Sequence, residues 1–315
     1  MNGKEWKIVE KKNLWLALST FLIGVGFLLM VVRAFDSRPI LNFGIDFSGG
    51  STLVLKFDGL THQLAGAKQD QKKSVTAGFI HDVRSALAPF GLKSSEIQVS
   101  DAGEVIIKTI QMDGSMHEKV KSALETRLGH CEVLEVDFIG PTIGSELKHR
   151  SIWIVLLVSL GLMIYMTWRF EFAFGIATLA ATLHDALFIL SFASIFYLEI
   201  NVEFVAALLT IIGYSMNDTV VIFDRIRENL AGVVGGEYSI ESVTNGSLVQ
   251  TFKRTILTVV TTLTVTASLL IFGGTTIRDF SLILFAGILI GTYSSIFVAA
   301  PVFVVLFRKL PVKNR

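Results

Sequence analysis

The sequence predicts a polytopic α-helical membrane protein of six transmembrane helices, with an α+β, ferredoxin-like extracytoplasmic domain between helices 1 and 2. Three observations carry that expectation. The 315 residues are 51% hydrophobic and only 17% charged, and mean hydropathy is +0.60, too apolar for an ordinary soluble enzyme. Six charge-poor stretches are about long enough to cross a bilayer: Leu14–Val32, Ile152–Trp168, Phe172–Leu198, Phe204–Phe223, Ile256–Phe272 and Phe280–Phe307. Between the first two, residues 34–149 hold 12 Lys/Arg, 15 Asp/Glu and five of the six histidines, the composition of a water-soluble insert. The expected division is therefore a tail at 1–13, helix 1 at 14–33, the outer domain at 34–149, a five-helix membrane domain at 150–310 and a second tail at 311–315.

The first span follows Lys4, Lys7, Lys11 and Lys12, so a signal peptide is the competing reading. Its apolar run is 19 residues, longer than a signal core, and Val31-Val32-Arg33-Ala34-Phe35 is a poor cleavage site. An uncleaved helix is expected.

In the outer domain, alternation and turn residues predict a strand at 51–57, a polar loop to about Ser74 and a helix at 75–88. Strands at 96–100 and 104–109 follow, joined by Asp101-Ala102-Gly103, then a helix at 115–128 and a strand at 131–138. The order β-α-β-β-α-β is that of a ferredoxin-like sandwich. His81-Asp82 reads as a solvated helix face.

Two glycine-containing segments bracket this domain, Phe43-Gly44-Ile45-Asp46-Phe47-Ser48-Gly49-Gly50 and Ile139-Gly140-Pro141-Thr142-Ile143-Gly144-Ser145-Glu146-Leu147. They are either plain turns or mobile junctions that absorb dihedral change. The candidate junction residues are Gly44, Asp46, Gly49, Gly50, Gly140, Pro141 and Gly144.

Basic residues set the orientation. The N-terminal tail, Arg169, the group Arg225, Arg227, Lys253 and Arg254, and the C-terminal Arg308, Lys309, Lys313 and Arg315 fall on one side. The short loops of the other side hold only Arg278. Both termini are expected to be cytoplasmic.

Spans 1, 2, 5 and 6 carry no ionisable side chain, whereas span 3 holds His184 and Asp185 and span 4 holds Asp218. A charge at the bilayer centre costs about 2.5–3.5 kcal/mol on insertion scales, so such residues are functional candidates. If the fifth helix begins near Leu248, Arg254 lies about two turns inside it and is able to pair with Asp218. A carboxylate alternately paired and protonated is the minimal device for coupling a proton to a conformational change. A static pair, or an Arg254 that only obeys the positive-inside rule, is the alternative. Span 5 also carries Thr255, Thr258, Thr261, Thr262, Thr264, Thr266 and Ser268, either helix-packing hydroxyls or the wall of a hydrated proton path.

Lys plus Arg is 28 against 27 for Asp plus Glu, which gives no electrostatic case for a nucleic-acid partner. The single Cys131 excludes an intrachain disulfide and a cysteine-built metal site. No nucleophile–base pair or phosphate loop is present, so no enzyme, metal or cofactor is expected.

These residues resemble a known family. One helix, an outer domain and five helices look like half of the resistance-nodulation-division superfamily, and the motifs look like its SecD/SecF branch. Gly44-Ile45-Asp46-Phe47-Ser48-Gly49-Gly50, then Gly140-Pro141 with Gly144, Glu146 and Leu147, then His184-Asp185, are similar to family motifs. So are Gly213-Tyr214-Ser215-Met216-Asn217-Asp218-Thr219 with its continuation to Asn229, and Arg254-Thr255. The polar stretch Thr61–Lys73 is not covered by them. The resemblance implies residence in the bacterial cytoplasmic membrane beside the partner half SecD, at the SecYEG channel with the SecA motor, where proton flow moves outer domains that draw exported preproteins outward. It implies Asp218 as proton carrier with Arg254 as its partner; His184, Asp185 and Asn217 are the further proton-coupling candidates. The competing readings are half of a proton-coupled small-molecule exporter, disfavoured by the small outer domain, and a scaffold whose buried charges only fix helix pairing.

Overall fold

The structure is a computed structural model and describes residues 7–309 except 37, 101, 110, 111, 113, 233–238, 275 and 276. The expected C-terminal tail, Lys4 and Asp101 of the expected turn lie outside the described residues. The chain forms two compact units, one made of the residues up to Asn42 and from Ser151 onward, the other Phe43–Arg150.

The long α1 (Lys12–Phe35) belongs to the first unit, the two-residue strand β1 (Asn42–Phe43) falls at the division, and the one-turn helix α2 (Ile45–Ser48) is the first element wholly within the second. Strand β2 (Gly50–Phe57), helices α3 (Asp58–Gly66) and α4 (Gln69–Leu87), strands β3 (Glu96–Val99) and β4 (Glu104–Thr109), helix α5 (Gly114–Leu128) and strand β5 (Cys131–Ile139) follow. The sheet runs β3-β4-β2-β5 and every neighbouring pair is antiparallel, with Leu53 opposite Ile107 and Val136. Alternation sends Leu53, Leu55, Phe57, Val105 and Ile107 into a core closed by Val83 and Leu87 of α4 and Val120 and Leu124 of α5.

The polar loop expected before Ser74 is instead helical. Leu60 and Leu64, one turn apart, are each 1% exposed, so α3 buries a narrow apolar edge hidden among polar residues. Helix α4 starts at Gln69, earlier than the apolar pattern suggests, because the Lys68 amide donates to Gln71 Oε1 at 3.2 Å. His81 and Asp82 are exposed.

Among the described residues, six helices are long and apolar enough to span a membrane. They are α1 with its preceding turn, α6 (Pro141–Arg169), α7 (Phe172–Phe196), α8 (Val202–Ala231), α9 (Ile240–Phe272), and a last span of α10 (Arg278–Ser294), a π turn (Ser295–Ala299) and α11 (Ala300–Lys309). The short β6 (Glu199–Ile200) lies between α7 and α8. Asn201 Oδ1 caps α8 by accepting from the Phe204 amide at 2.9 Å, and Ser239 Oγ caps α9 by accepting from Ser242.

Helices α7, α8 and the last span form the centre, with Phe174, Phe223 and Phe303 in mutual ring contact. Small residues let backbones approach. A Cβ on Gly26 of α1 would lie 2.0 Å from Ser191 Oγ, one on Gly287 2.1 Å from Ile211, and one on Gly291 2.9 Å from Ser215 Cβ. Tyr197 ends α7 at φ 53°, a left-handed conformation held by Arg33, which donates to Ser194 O at 2.7 Å and stacks on the Tyr197 ring. At the opposite end, the Ile8 and Val9 amides donate to Asn245 Oδ1, both at 3.2 Å, docking the turn before α1 on α9.

Cys131 is 1% exposed, and burial, reinforced by Glu125, pushes its thiol up to about 11. Its alkylation at pH 8 therefore reports opening of the Phe43–Arg150 unit. Gly49 stands at φ 73°, ψ 156°, a region open essentially to glycine at a cost of about 1–3 kcal/mol for other residues. Gly49→Ala is expected to raise the Cys131 alkylation rate about thirtyfold at the middle of that range. Gly59→Ala, with nothing within 4 Å of the new Cβ, should leave the rate unchanged, and equal rates in both variants would contradict this reading.

Candidate functional site

The buried polar groups of the membrane unit gather where α7, α8 and the last span meet. Asp185 is fully buried and His184 is 8% exposed, with His184 Nδ1 3.0 Å from Asp185 Oδ1. The other carboxylate oxygen, Oδ2, accepts from Ser215 Oγ of α8 at 2.7 Å and from Ser294 Oγ of α10 at 2.9 Å. One turn along α8, Thr219 Oγ1 lies 2.9 Å from Ser295 Oγ, which donates to Ser215 O at 3.1 Å. The His184 ring stacks on Tyr293, whose hydroxyl donates to Trp15 O at 2.8 Å. His184 Nε2 is buried without a hydrogen-bond partner.

Asp218 is held differently. It is 3% exposed, and its buried Oδ2 has no hydrogen-bond partner. Arg254 is near enough for its charge to act on the Asp218 carboxylate, yet among the described residues they make no ion pair within 4 Å, and Arg254 is exposed. The direct pairing that the sequence permits is thus absent in this arrangement. Helix α9 begins at Ile240, not near Leu248, because Ser239 caps it. Arg254 is therefore about 21 Å, 14 residues at 1.5 Å each, from the helix start.

Asn217 sits on the exposed side of α8, away from its neighbour Asp218. Ala206, Thr210, Gly213 and Asn217, at helical spacing, form an uncovered strip of small and polar residues on this apolar helix. On α9, Thr258, Thr261, Thr262, Thr264, Thr266 and Ser268 each donate to a carbonyl of their own helix, the self-satisfied state of packing hydroxyls. Thr255 differs, being 1% exposed with an unpartnered hydroxyl.

The junction residues come together in the Phe43–Arg150 unit. Gly44 precedes α2, and Gly49 and Gly50 stand at φ 73° and 148°. Gly140 precedes α6, while Pro141 is its first residue and Gly144 lies in its first turn, so the downstream segment is helix and not a turn. A Cβ on Gly144 would lie 3.0 Å from Gly49 N and 3.2 Å from Asp46 O, and one on Gly49 2.8 Å from Pro141 Cα.

Sequence reasoning singled out Asp185 but missed the hydroxyls that hold it. The run Thr292-Tyr293-Ser294-Ser295 in a mostly apolar span was the available signal. Among the described residues, no cluster of three His, Cys, Asp or Glu is placed to hold a metal ion.

Residues 119–309 match the family described as "Protein export membrane protein SecD/SecF, C-terminal", and residues 41–59 match the "SecD/SecF GG Motif". The chain is 35% identical over 311 residues to the protein translocase subunit SecF of Sebaldella termitidis, covering 98% of this chain and 95% of that one. It is 37% identical over 308 residues to the SecF of Thermodesulfovibrio yellowstonii, covering 96% and 95%. Its fold is similar to the crystal structure of SecDF, a translocon-associated membrane protein from Thermus thermophilus, with TM-score 0.78 and 29% identity over 97% of this chain. The match spans only 39% of that longer chain. A match covering most of the chain, relatives above 30% identity at nearly full length, and the glycine motif at the expected place together establish that the chain belongs to the SecD/SecF family of protein export membrane proteins.

Proposed function

We propose that this chain is a proton-driven auxiliary subunit of the Sec translocase, which with SecD helps pull exported polypeptides across the bacterial cytoplasmic membrane. The observation that carries the reading is Asp218, a carboxylate buried in a membrane helix with one oxygen unpartnered and a cation in electrostatic reach but out of contact. A buried carboxylate without its full set of partners is costly when charged. Protonation removes that cost and the attraction to Arg254 together, so each state favours a different α8–α9 arrangement. Each charge moved through 100 mV supplies about 2.3 kcal/mol, enough to bias a two-state element nearly fiftyfold on the tenfold-per-1.4 scale, or about 45-fold.

The uncovered strip Ala206, Thr210, Gly213 and Asn217 supports a partner half, since SecD packed there would remove polar groups from lipid. That covering would also bring exposed Arg254 and Asn217 into the proton-coupling set. The β-α-β-β-α-β order with its central β2 and β4 supports a ferredoxin-like domain. In this reading it lies outside the membrane, both termini are cytoplasmic, and the Gly44–Gly50 and Gly140–Gly144 segments are the junctions through which movement passes. SecYEG, SecA and exported preproteins are the implied partners and substrate.

Gradient-dependent export into inverted vesicles tests the reading. Asp218→Asn should assemble with its partner yet lose the gradient-driven part of export, Asp218→Glu should retain part, and normal export by Asp218→Asn would favour a scaffold. Because Arg254 acts at a distance and not through a forked contact, Arg254→Lys should retain more gradient-driven export than Arg254→Gln. Equal loss in both would show that guanidinium geometry, not charge, is required. Depleting SecD should shorten the lifetime of this chain or leave it inactive, and undiminished lifetime and export would contradict the covered-strip argument.

A further inference from the structure

Asp185 is a better-organised carboxylate than Asp218, and its surroundings contain a second set of acceptors. Ser215 Oγ donates to Asp185 Oδ2 and is also 3.3 Å from Gly291 O; Ser294 Oγ donates to the same Oδ2 and is also 3.0 Å from Gly291 O. Each hydroxyl carries one proton and so serves one acceptor at a time. Gly291 O also accepts from the Ser295 amide, where α10 passes into the π turn, and lies 2.9 Å from Ser295 Oγ, whose proton has Ser215 O as its other acceptor. The close approach of Ser215 to this backbone requires glycine at 291.

We propose that Asp185 is a second proton-binding carboxyl whose occupancy is read by Ser215 and Ser294, one of the two hydroxyls turning from Oδ2 to the Gly291 carbonyl when the proton arrives. As an ionised acceptor, Oδ2 takes both hydroxyls. A proton on Oδ2 makes it a donor to one serine oxygen, and that serine's own proton turns to Gly291 O, whose other lone pair takes the Ser295 amide, while the second serine goes on donating to the carboxyl. No covalent bond other than O–H of the carboxyl forms. The exchange changes what ties α7 to α8 and α10, at the start of a π turn, a feature frequent at functional sites. Thr219 and Ser295 extend the network along the buried face of α8 that also carries Asp218, three residues after Ser215.

The titratable groups around Asp185 are few. His184 adjoins it on α7, Asp218 and Tyr214 are on α8, and Tyr293 on α10 stacks on His184. The cations of α1, Lys12 and Arg33, sit at its two ends, and Arg308 and Lys309 close α11. His184 Nε2, buried and unpartnered, leaves one site open on the imidazole. The purpose of the device rests on the proton-coupled reading above, while its site rests on separate geometry.

Infrared difference spectra between acid and neutral pH, taken on the full chain reconstituted with its partner half, test the proposal. Exposed carboxyls contribute to every such spectrum, so the reading is a difference between variants: Asp218→Asn should show a protonated-carboxyl band that is missing when Asp185→Asn is added. Ser215→Ala and Ser294→Ala should each move that band to higher frequency, because the carboxyl loses a hydrogen-bond partner. No such band, or one unmoved by both serine variants, overturns the proposal. An absent band combined with lost gradient-driven export in Asp218→Asn would leave the Asp218 reading standing, whereas the expected band in a variant that exports normally would sink only that reading.

Discussion

An ionised group inside a membrane bundle must be surrounded by dipoles, countered by charge or neutralised by a proton, and this constraint organises the helices around Asp185 and Asp218. Asp185 meets it with dipoles: two hydroxyls from two other helices and an imidazole beside it. Asp218 does not meet it locally, since one oxygen lacks a partner and Arg254 stands off. The first carboxylate ties three helices together. The second leaves a free-energy difference that a proton can settle.

The packing serves that arrangement. Gly291 lets Ser215 close on the α10 backbone, Gly287 admits Ile211, and Gly26 brings α1 against Ser191, so the polar network is assembled by backbone proximity. The Phe174, Phe223 and Phe303 rings pack against one another on the same spans. Such a core is bistable more readily than deformable, because side chains at interior density repack in discrete steps.

The spans and the strands of the Phe43–Arg150 unit were legible because their signals are periodic and long: charge-poor stretches for the helices, alternation for 51–57 and 104–109. Helix α3 was not, because Leu60 and Leu64 give one apolar pair among polar neighbours. The start of α9 was missed because its first turns, 240–247, are polar and its cap is a single serine. Asp185, His184 and Asp218 were visible as charges in apolar runs, but serine has no such contrast, and only the fold brings Ser294 and Ser215 onto one carboxylate oxygen. The Asp218–Arg254 contact was the opposite case: complementary charges on neighbouring helices suggest a bond, while the exposure of Arg254 on α9 keeps the two apart.

The central claim is that a proton crosses this membrane unit by way of Asp218. Proteoliposomes containing the chain with its partner half and an internal pH indicator, given an imposed proton gradient, measure that directly. The account predicts internal acidification by the unsubstituted protein that falls to the protein-free leak in Asp218→Asn, and equal acidification by both proteins would contradict it.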